Sequence, residues 1–183
     1  MSIVVVIVGV LAVLAVVGYR KLIVSSHIAE ATGMVNGIKL AQEAYHAETG
    51  AYADVSTSLV ANNTTANAYP IGAGTSSYKW SWGGACGASC TAVDWTMLPV
   101  HVSGPVMYGY TTKAGAAGAA PPAAPAITIN GAAITWPATP ATDWFIASAV
   151  GAPNTAPGDT ATAHSTVVGS SFTNDLWIDN EGQ

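Results

Sequence analysis

Charge is what this sequence has least of. Asp, Glu, Lys and Arg make up 8% of its 183 residues, against about 25% in an ordinary soluble domain. A surface so poor in charge must be carpeted with Ser, Thr and Asn or packed against other subunits. Basic residues are scarcest: only Arg20, Lys21, Lys39, Lys79 and Lys113, scattered along a chain of net charge -5. Phosphate binding needs clustered Lys and Arg, so nucleic acid is excluded as an expected partner. Cysteine is nearly missing too, with Cys86 and Cys90 close together in GGACGASC. In a cytosolic protein such a pair suggests a metal or redox site, in an exported one a short disulfide. A zinc site needs about four ligands, and no His or further Cys stands nearby until His101. The pair also lacks the two-residue gap of redox motifs. A disulfide that pins a turn is expected.

Residues 1–17 hold no charge, and Ser2 is their only polar side chain; Leu22, Ile23 and Val24 resume the apolar run after Gly18-Tyr19-Arg20-Lys21. As a helix, seventeen such residues span roughly 25 Å and twenty-four about 36 Å, enough to sit in a bilayer core of about 30 Å. A secretory signal has a basic start and a small-residue cleavage site. Neither is present, so a retained membrane or filament-core helix over 1–24 is expected. Over 25–50 the period is helical: Ile28, Ala31, Val35, Ile38, Gln42 and Tyr45 share a stripe, expected to pack on the protein's own sheet. Glu30, Asn36, Lys39, Glu43 and His46 fall mostly on the other side, with Lys39 and Glu43 spaced as a supporting pair. Gly50 supplies a stop. A rod of fifty residues would be about 75 Å long, more than one small domain covers. Its first half therefore needs lipid or other copies of itself.

Residues 51–77 read as a connecting loop region, and 78–183 as a β-rich domain holding all six tryptophans. Period-two alternation at Tyr78, Trp80 and Trp82, at Val93, Trp95 and Met97, and at Val106, Tyr108 and Tyr110 predicts strands. So do 144–150 and 172–178. Asn130-Gly131 between 127–129 and 132–136 is a hairpin signal. The Ala/Pro stretch 114–126 predicts an exposed loop, like 55–77, 83–91 and 151–164. The expected fold is α+β: a long N-terminal helix, apolar in its first half, packed against a C-terminal, mainly antiparallel β-sheet.

Residues 9–53, GVLAVLAVVGYRKLIVSSHIAEATGMVNGIKLAQEAYHAETGAYA, resemble the N-terminal part of bacterial type IV pilins and their pseudopilin relatives. Family members run Gly-Ile-Leu-Ala-Ala-Ile-Ala-Ile-Pro, then a polar stretch ending in Ser-Glu-Ala, then an amphipathic helix. With Gly9 on the family glycine, Glu30-Ala31 falls on the family's Glu-Ala without a gap. Ala41-Gln42-Glu43-Ala44-Tyr45 and Glu48-Thr49-Gly50-Ala51-Tyr52 then fit the helix end. The tail from Trp144-Phe145-Ile146-Ala147 through Leu176-Trp177-Ile178-Asp179-Asn180-Glu181-Gly182 resembles the closing strands. The match is specific over the first fifty residues and loose beyond them.

The resemblance implies a pilus-like filament subunit whose helix is stored in the inner membrane and then packed with other copies. The assembly residues it implies are Ile3, Val6, Ile7, Gly9, Val10, Leu11, Val13, Leu14, Val17 and Gly18; the helix-to-sheet contacts expected are Ile28, Val35, Ile38 and Tyr45. Gly9 and Gly18 each weaken helix by about 1 kcal/mol, so local melting is expected between them. The partners implied are the chain itself, the inner membrane and the pilus assembly machinery. Arg20 and Lys21 after the apolar run favour a cytoplasmic C-terminal side; the cysteine pair and the Thr/Asn-rich surface favour the outside, the orientation adopted.

Three alternatives stay open: a minor pilin, a secretion pseudopilin, and a membrane-anchored binding module using Trp80 or Trp136 that never polymerises. Enzymatic chemistry is not expected. His164-Ser165 with Asp159, and His101 with Ser103, lack any Gly-x-Ser-x-Gly elbow. Asn174, Asp175, Asp179 and Glu181 are an acidic cluster that reads as a solvated turn rather than a Ca²⁺ site. No catalytic, cofactor or metal residue is assigned, and no cofactor is expected.

Overall fold

The computed structural model describes residues 2–59, 67–74, 78–125, 127–129, 132–152 and 165–179. Part of the loop expected over 55–77, the Asn130-Gly131 pair, Asp159, His164 and Glu181 lie outside that set. Helix α1 runs Ser2–Thr49 without interruption. No proline precedes Pro70 in the sequence, so every amide up to Thr49 can donate along the helix. The helix passes through Gly9 and Gly18 unbroken, and the expected melting between them is not seen in this state. It stops at Gly50, whose φ of 80° is open to glycine and whose N–H closes on the His46 carbonyl oxygen at 2.8 Å.

Four antiparallel strands form the main sheet: β1 (Gly109–Gly115), β4 (Trp144–Gly151), β5 (Ser165–Ser170) and β6 (Trp177–Asp179), in the order β1-β4-β5-β6. A separate hairpin pairs β2 (Thr128–Ile129) with β3 (Ala132–Ala133), Ile129 opposite Ala132. The sheet is buried on both faces. Against the helix, Ala147, Ala149 and Val167 meet Ala31, Val35, Ile38 and Ala41, together with Tyr108 and Tyr110. On the far face Trp144, Ile146 and Val168 pack with Ile127 and Ile134, which the hairpin segment brings in. Side chains alternate between the faces of a strand. β4 therefore turns Ala147 and Ala149 to the helix, with Phe145 beyond them against Tyr52, and Trp144 and Ile146 to the other layer, and all its positions are buried. Each fully buried Val or Ile contributes roughly 1.5–3 kcal/mol by leaving water.

Segment 51–74 is more than a connector. Ala53, Val55, Ala68, Tyr69 and Ala73 are all buried. Ser56 N–H donates to the Thr112 carbonyl oxygen at 2.9 Å, and Tyr69 exchanges two main-chain bonds with Tyr110. The packed unit thus begins just after the helix rather than at Tyr78.

Several expected strands take other forms. Around Trp80 only an isolated bridge to Val106 forms. Trp95–Met97 is a 3₁₀ turn whose preceding residue, Asp94, accepts from the Thr96 N–H at 3.4 Å. The alternating aromatics there build a cluster instead of a pleat: Tyr69, Trp82 and Trp95 lie with ring centroids 4.8–5.5 Å apart. In 172–178 only Trp177–Asp179 is strand. β5 was not expected at all. It lies one residue beyond the loop expected over 151–164, and its Ser-Thr-Val-Val-Gly-Ser sequence lacks alternation because both its faces are covered.

Candidate assembly surface

The helix divides into two environments. From Ile28 onward one face is closed by the domain: Ile28, Val35 and Ile38 are buried, the last two in the core shared with the sheet, and Tyr45 packs partly buried against that core. Over 4–16 none of the described residues outside the helix covers it. Val4, Val5, Val6, Ile7, Val8, Val10, Leu11, Val13, Leu14 and Val16 are each 53–71% exposed. A Cβ placed on Gly9 or Gly18 would meet no other atom within 4 Å. Of the residues implied for assembly, Val6, Ile7, Val10, Leu11, Val13 and Leu14 thus project as one bare apolar arm. The side chains of Ile3 and Val17 lie outside the described ones.

An isolated helix this apolar on all sides is not a stable surface in water. Its described side chains, 4–16, cover roughly 20 Å along the axis, against a bilayer core of about 30 Å. Among the described residues no helix is long and apolar enough to cross a membrane.

Where arm and domain meet, α1 bears polar residues that the sequence placed on its outer side. Glu30 turns inward instead: one carboxylate oxygen accepts from the Met107 N–H at 2.8 Å, and the other lies 3.5 Å from the Lys79 ammonium. Neighbouring His27 has its imidazole pKa lowered, chiefly because burial disfavours the charged ring, with Glu30 opposing. Lys39 feels the Glu43 charge without a direct contact to it. It reaches over the sheet edge to the carbonyl oxygens of Thr173 and Asn174, at 3.1 and 3.4 Å, while Glu43 accepts from the Tyr52 hydroxyl at 3.1 Å. Glu30 and Lys39 find long-range partners because the helix lies flat on the domain, so its flanks reach loops that helical spacing alone does not reveal. At its end His46 stacks on Tyr52 with centroids 4.3 Å apart and lies 3.8 Å from the Asp143 carboxylate.

Cys86 and Cys90 are joined in a disulfide across a 3₁₀ turn, Gly87–Ser89. The Asp94 carboxylate lies within 4.8 Å of both sulfurs, but thiols bonded to each other supply no thiolate to a metal. His101 and Ser103 line an open cavity of about 480 Å³ with Glu30 and Lys79. Trp80 is 38% exposed and lies over Gly72, where a Cβ would come within 2.7 Å of its ring. The Trp136 indole N–H is already committed to the Pro122 carbonyl oxygen at 2.8 Å.

The surface residues that the stripe pattern passed over are Leu22, Ser26, Ala29 and Gly33. They follow one another at helical spacing, all exposed, on the side of α1 away from the buried stripe. Their signal was small size in place of hydrophobicity, which a search for apolar periodicity does not register. No protein-family model matches the chain, and no curated protein or solved structure matches it.

Proposed function

We propose that this chain is the structural subunit of a type IV pilus-like helical filament, assembled through the apolar first half of its helix. The fold supports the reading in outline: an unbroken N-terminal helix, half bare and half closed by a four-stranded antiparallel sheet. The observation that carries it is the arm itself. Ten aliphatic side chains exposed on one helix cost the molecule heavily in water and must be covered.

Before assembly the inner membrane covers the arm. Afterwards neighbouring copies do, and the β-domain forms the outer shell. The short disulfide supports placing that domain outside the cell, where such bonds persist. Assembly machinery would lift the subunit from one environment to the other. A surface poor in charge suits domains that pack side by side.

The decisive experiment is electron microscopy of sheared cell-surface material, with the subunit identified by mass spectrometry. Fibres composed mostly of this chain are expected, and Val10→Asp or Leu14→Asp should abolish them. Intact fibres from both Asp variants would sink the proposal. A minor pilin or pseudopilin would instead give few or no fibres made of this chain. A non-polymerising binding module would stay monomeric in detergent and bind a glycan through Trp80.

A further inference from the structure

The turn that carries the disulfide brings a third donor to the two sulfurs. Cys86, Cys90 and Asp94 form the one group of three His, Cys, Asp or Glu side chains among the described residues whose donor atoms all lie within 4.8 Å of one another. They recur at every fourth position, as Cys-x-x-x-Cys-x-x-x-Asp. Cys86 is buried, while Cys90 and Asp94 are half-buried. The group is therefore closed on its inner side and reachable from solvent on the other.

Each member is held by contacts that do not involve the S–S bond. Cys86 packs in the main core, and its carbonyl oxygen accepts from the Ser89 N–H at 3.2 Å. Cys90 bridges Ser56, fixed on either side by Thr57 N–H to the Ser89 carbonyl oxygen at 3.1 Å and Thr91 N–H to the Val55 carbonyl oxygen at 2.7 Å. Asp94 precedes the buried Trp95, and its carbonyl oxygen accepts from the Met97 N–H at 3.0 Å. Opening the disulfide leaves all of these in place, so the three donors stay gathered.

We infer that the reduced turn is a binding site for a thiophilic divalent metal ion such as Zn²⁺, with the Cys86 and Cys90 thiolates and the Asp94 carboxylate as its ligands. Opening the bond takes two electrons and two protons. A dithiol reductant supplies them, becomes a disulfide itself, and leaves two thiols on the chain. The ion then displaces both thiol protons to solvent. With Zn–S bonds of about 2.3 Å, a tetrahedral site holds its two sulfurs about 3.8 Å apart. Side-chain rotation reaches that separation from Cα atoms 5.7 Å apart. Two thiolates select zinc over magnesium and calcium, which want oxygen, and three protein ligands leave the fourth position to water. The same sulfurs make either the disulfide or the metal bonds, so the two forms exclude each other. One belongs to an oxidising compartment, the other to wherever thiols are kept reduced. The site involves neither the apolar arm nor assembly.

The test takes the full chain in detergent, reduces it with a phosphine, which takes up the oxygen of water as the disulfide gains two hydrogens, and removes the reagent. Calorimetric titration with Zn²⁺ should give one ion per reduced chain and none per oxidised chain. Cd²⁺ in its place should give an ultraviolet sulfur-to-metal charge-transfer band. Asn caps a turn as well as Asp does, so Asp94→Asn should leave the unfolding of the oxidised protein unchanged. It should weaken Zn²⁺ at least ~10-fold, the cost of losing even a supporting partner of a ligand. Cys90→Ser should abolish binding. Bound Zn²⁺ should also slow the return of the disulfide when oxidised glutathione is added, because metal-held sulfurs are withheld from attack. A reduced chain that keeps its circular dichroism but binds no Zn²⁺ would overturn the site, as would equal affinity in Asp94→Asn or in the oxidised chain. Loss of the fold on reduction would overturn it too, by showing that the other contacts do not hold the donors together.

Discussion

Gln42 and Ala53 are locked to each other by two hydrogen bonds of 2.8 Å. The Gln42 side-chain N–H donates to the Ala53 carbonyl oxygen, and the Ala53 N–H donates to the Gln42 side-chain oxygen. The same amide nitrogen also donates to the Thr112 hydroxyl at 3.0 Å. Gln42 is fully buried, so helix, returning chain and β1 are pinned at one polar point inside an apolar layer. Gln42→Leu keeps the volume but strands the Ala53 N–H and carbonyl. A loss of about 2–4 kcal/mol is expected, since each orphaned buried group costs roughly 1–3 kcal/mol. Urea unfolding of the two proteins measures it; an equal midpoint would show that the clip contributes nothing.

Two glycines differ in what surrounds them, one packed against its own subunit and one in open space. A Cβ at Gly169 would come 2.9 Å from Val35 Cγ1 and 2.8 Å from Leu176 Cδ2, so β5 touches the helix there through bare backbone. Gly169→Ala should destabilise by about 1–3 kcal/mol, as overpacking does. Gly33→Ala meets open space and should stabilise the subunit by up to about 1 kcal/mol. Thermal unfolding of both variants should shift in opposite directions. Shifts of the same sign would remove the argument that Gly33 faces outward.

How much of this was legible in the sequence follows from which interactions are local. Helical spacing gave the buried stripe at Ile28, Val35 and Ile38, and the Asn-Gly pair gave the hairpin, because turn chemistry and period are local properties. Glu30 and Lys39 turn toward the domain because their partners, Met107 and Thr173, come from distant parts of the chain, while Glu43 stays exposed as its spacing predicts. β5 was invisible for a different reason. A strand covered on both faces has no alternation to read. The aromatic alternation at 78–97 was misread because tryptophans clustering around Tyr69 give the same spacing as a pleat.

The disulfide should matter locally. Cys86 is buried in the main core, and the turn it closes is held to the chain after the helix by Thr57 N–H to Ser89 O and Thr91 N–H to Val55 O. Closing so short a loop stabilises by only about 2 kcal/mol in the chain-entropy model. Reduction, or Cys86→Ala with Cys90→Ala, should therefore lower the urea midpoint modestly and leave the far-ultraviolet circular dichroism unchanged. Outright unfolding on reduction would show that the bond holds the whole domain together.

Alkaline pH offers a test of the buried tyrosines. Tyr52 and Tyr108 are both pushed up to about 12, in each case mainly because burial disfavours the phenolate. At Tyr52 the Glu43 charge and hydrogen bond add to the shift. Tyr110 is raised as well, by burial first and then by Glu30 and Tyr108. In the unfolded chain tyrosine releases its proton near 10. Above that pH the unfolded state has lost protons that the folded state still holds, so stability must fall as pH rises. The contribution is complete below pH 10 and drains away through about 12. Urea midpoints measured from pH 8 to 11.5 should be flat at first and then decline. Tyr52→Phe removes one of the phenols while keeping its ring beside His46 and Phe145, so the decline should become shallower in that variant. A wild-type midpoint that stays level through pH 11.5 would mean these hydroxyls are hydrated in the folded protein, and that the helix end is not packed on the sheet as described.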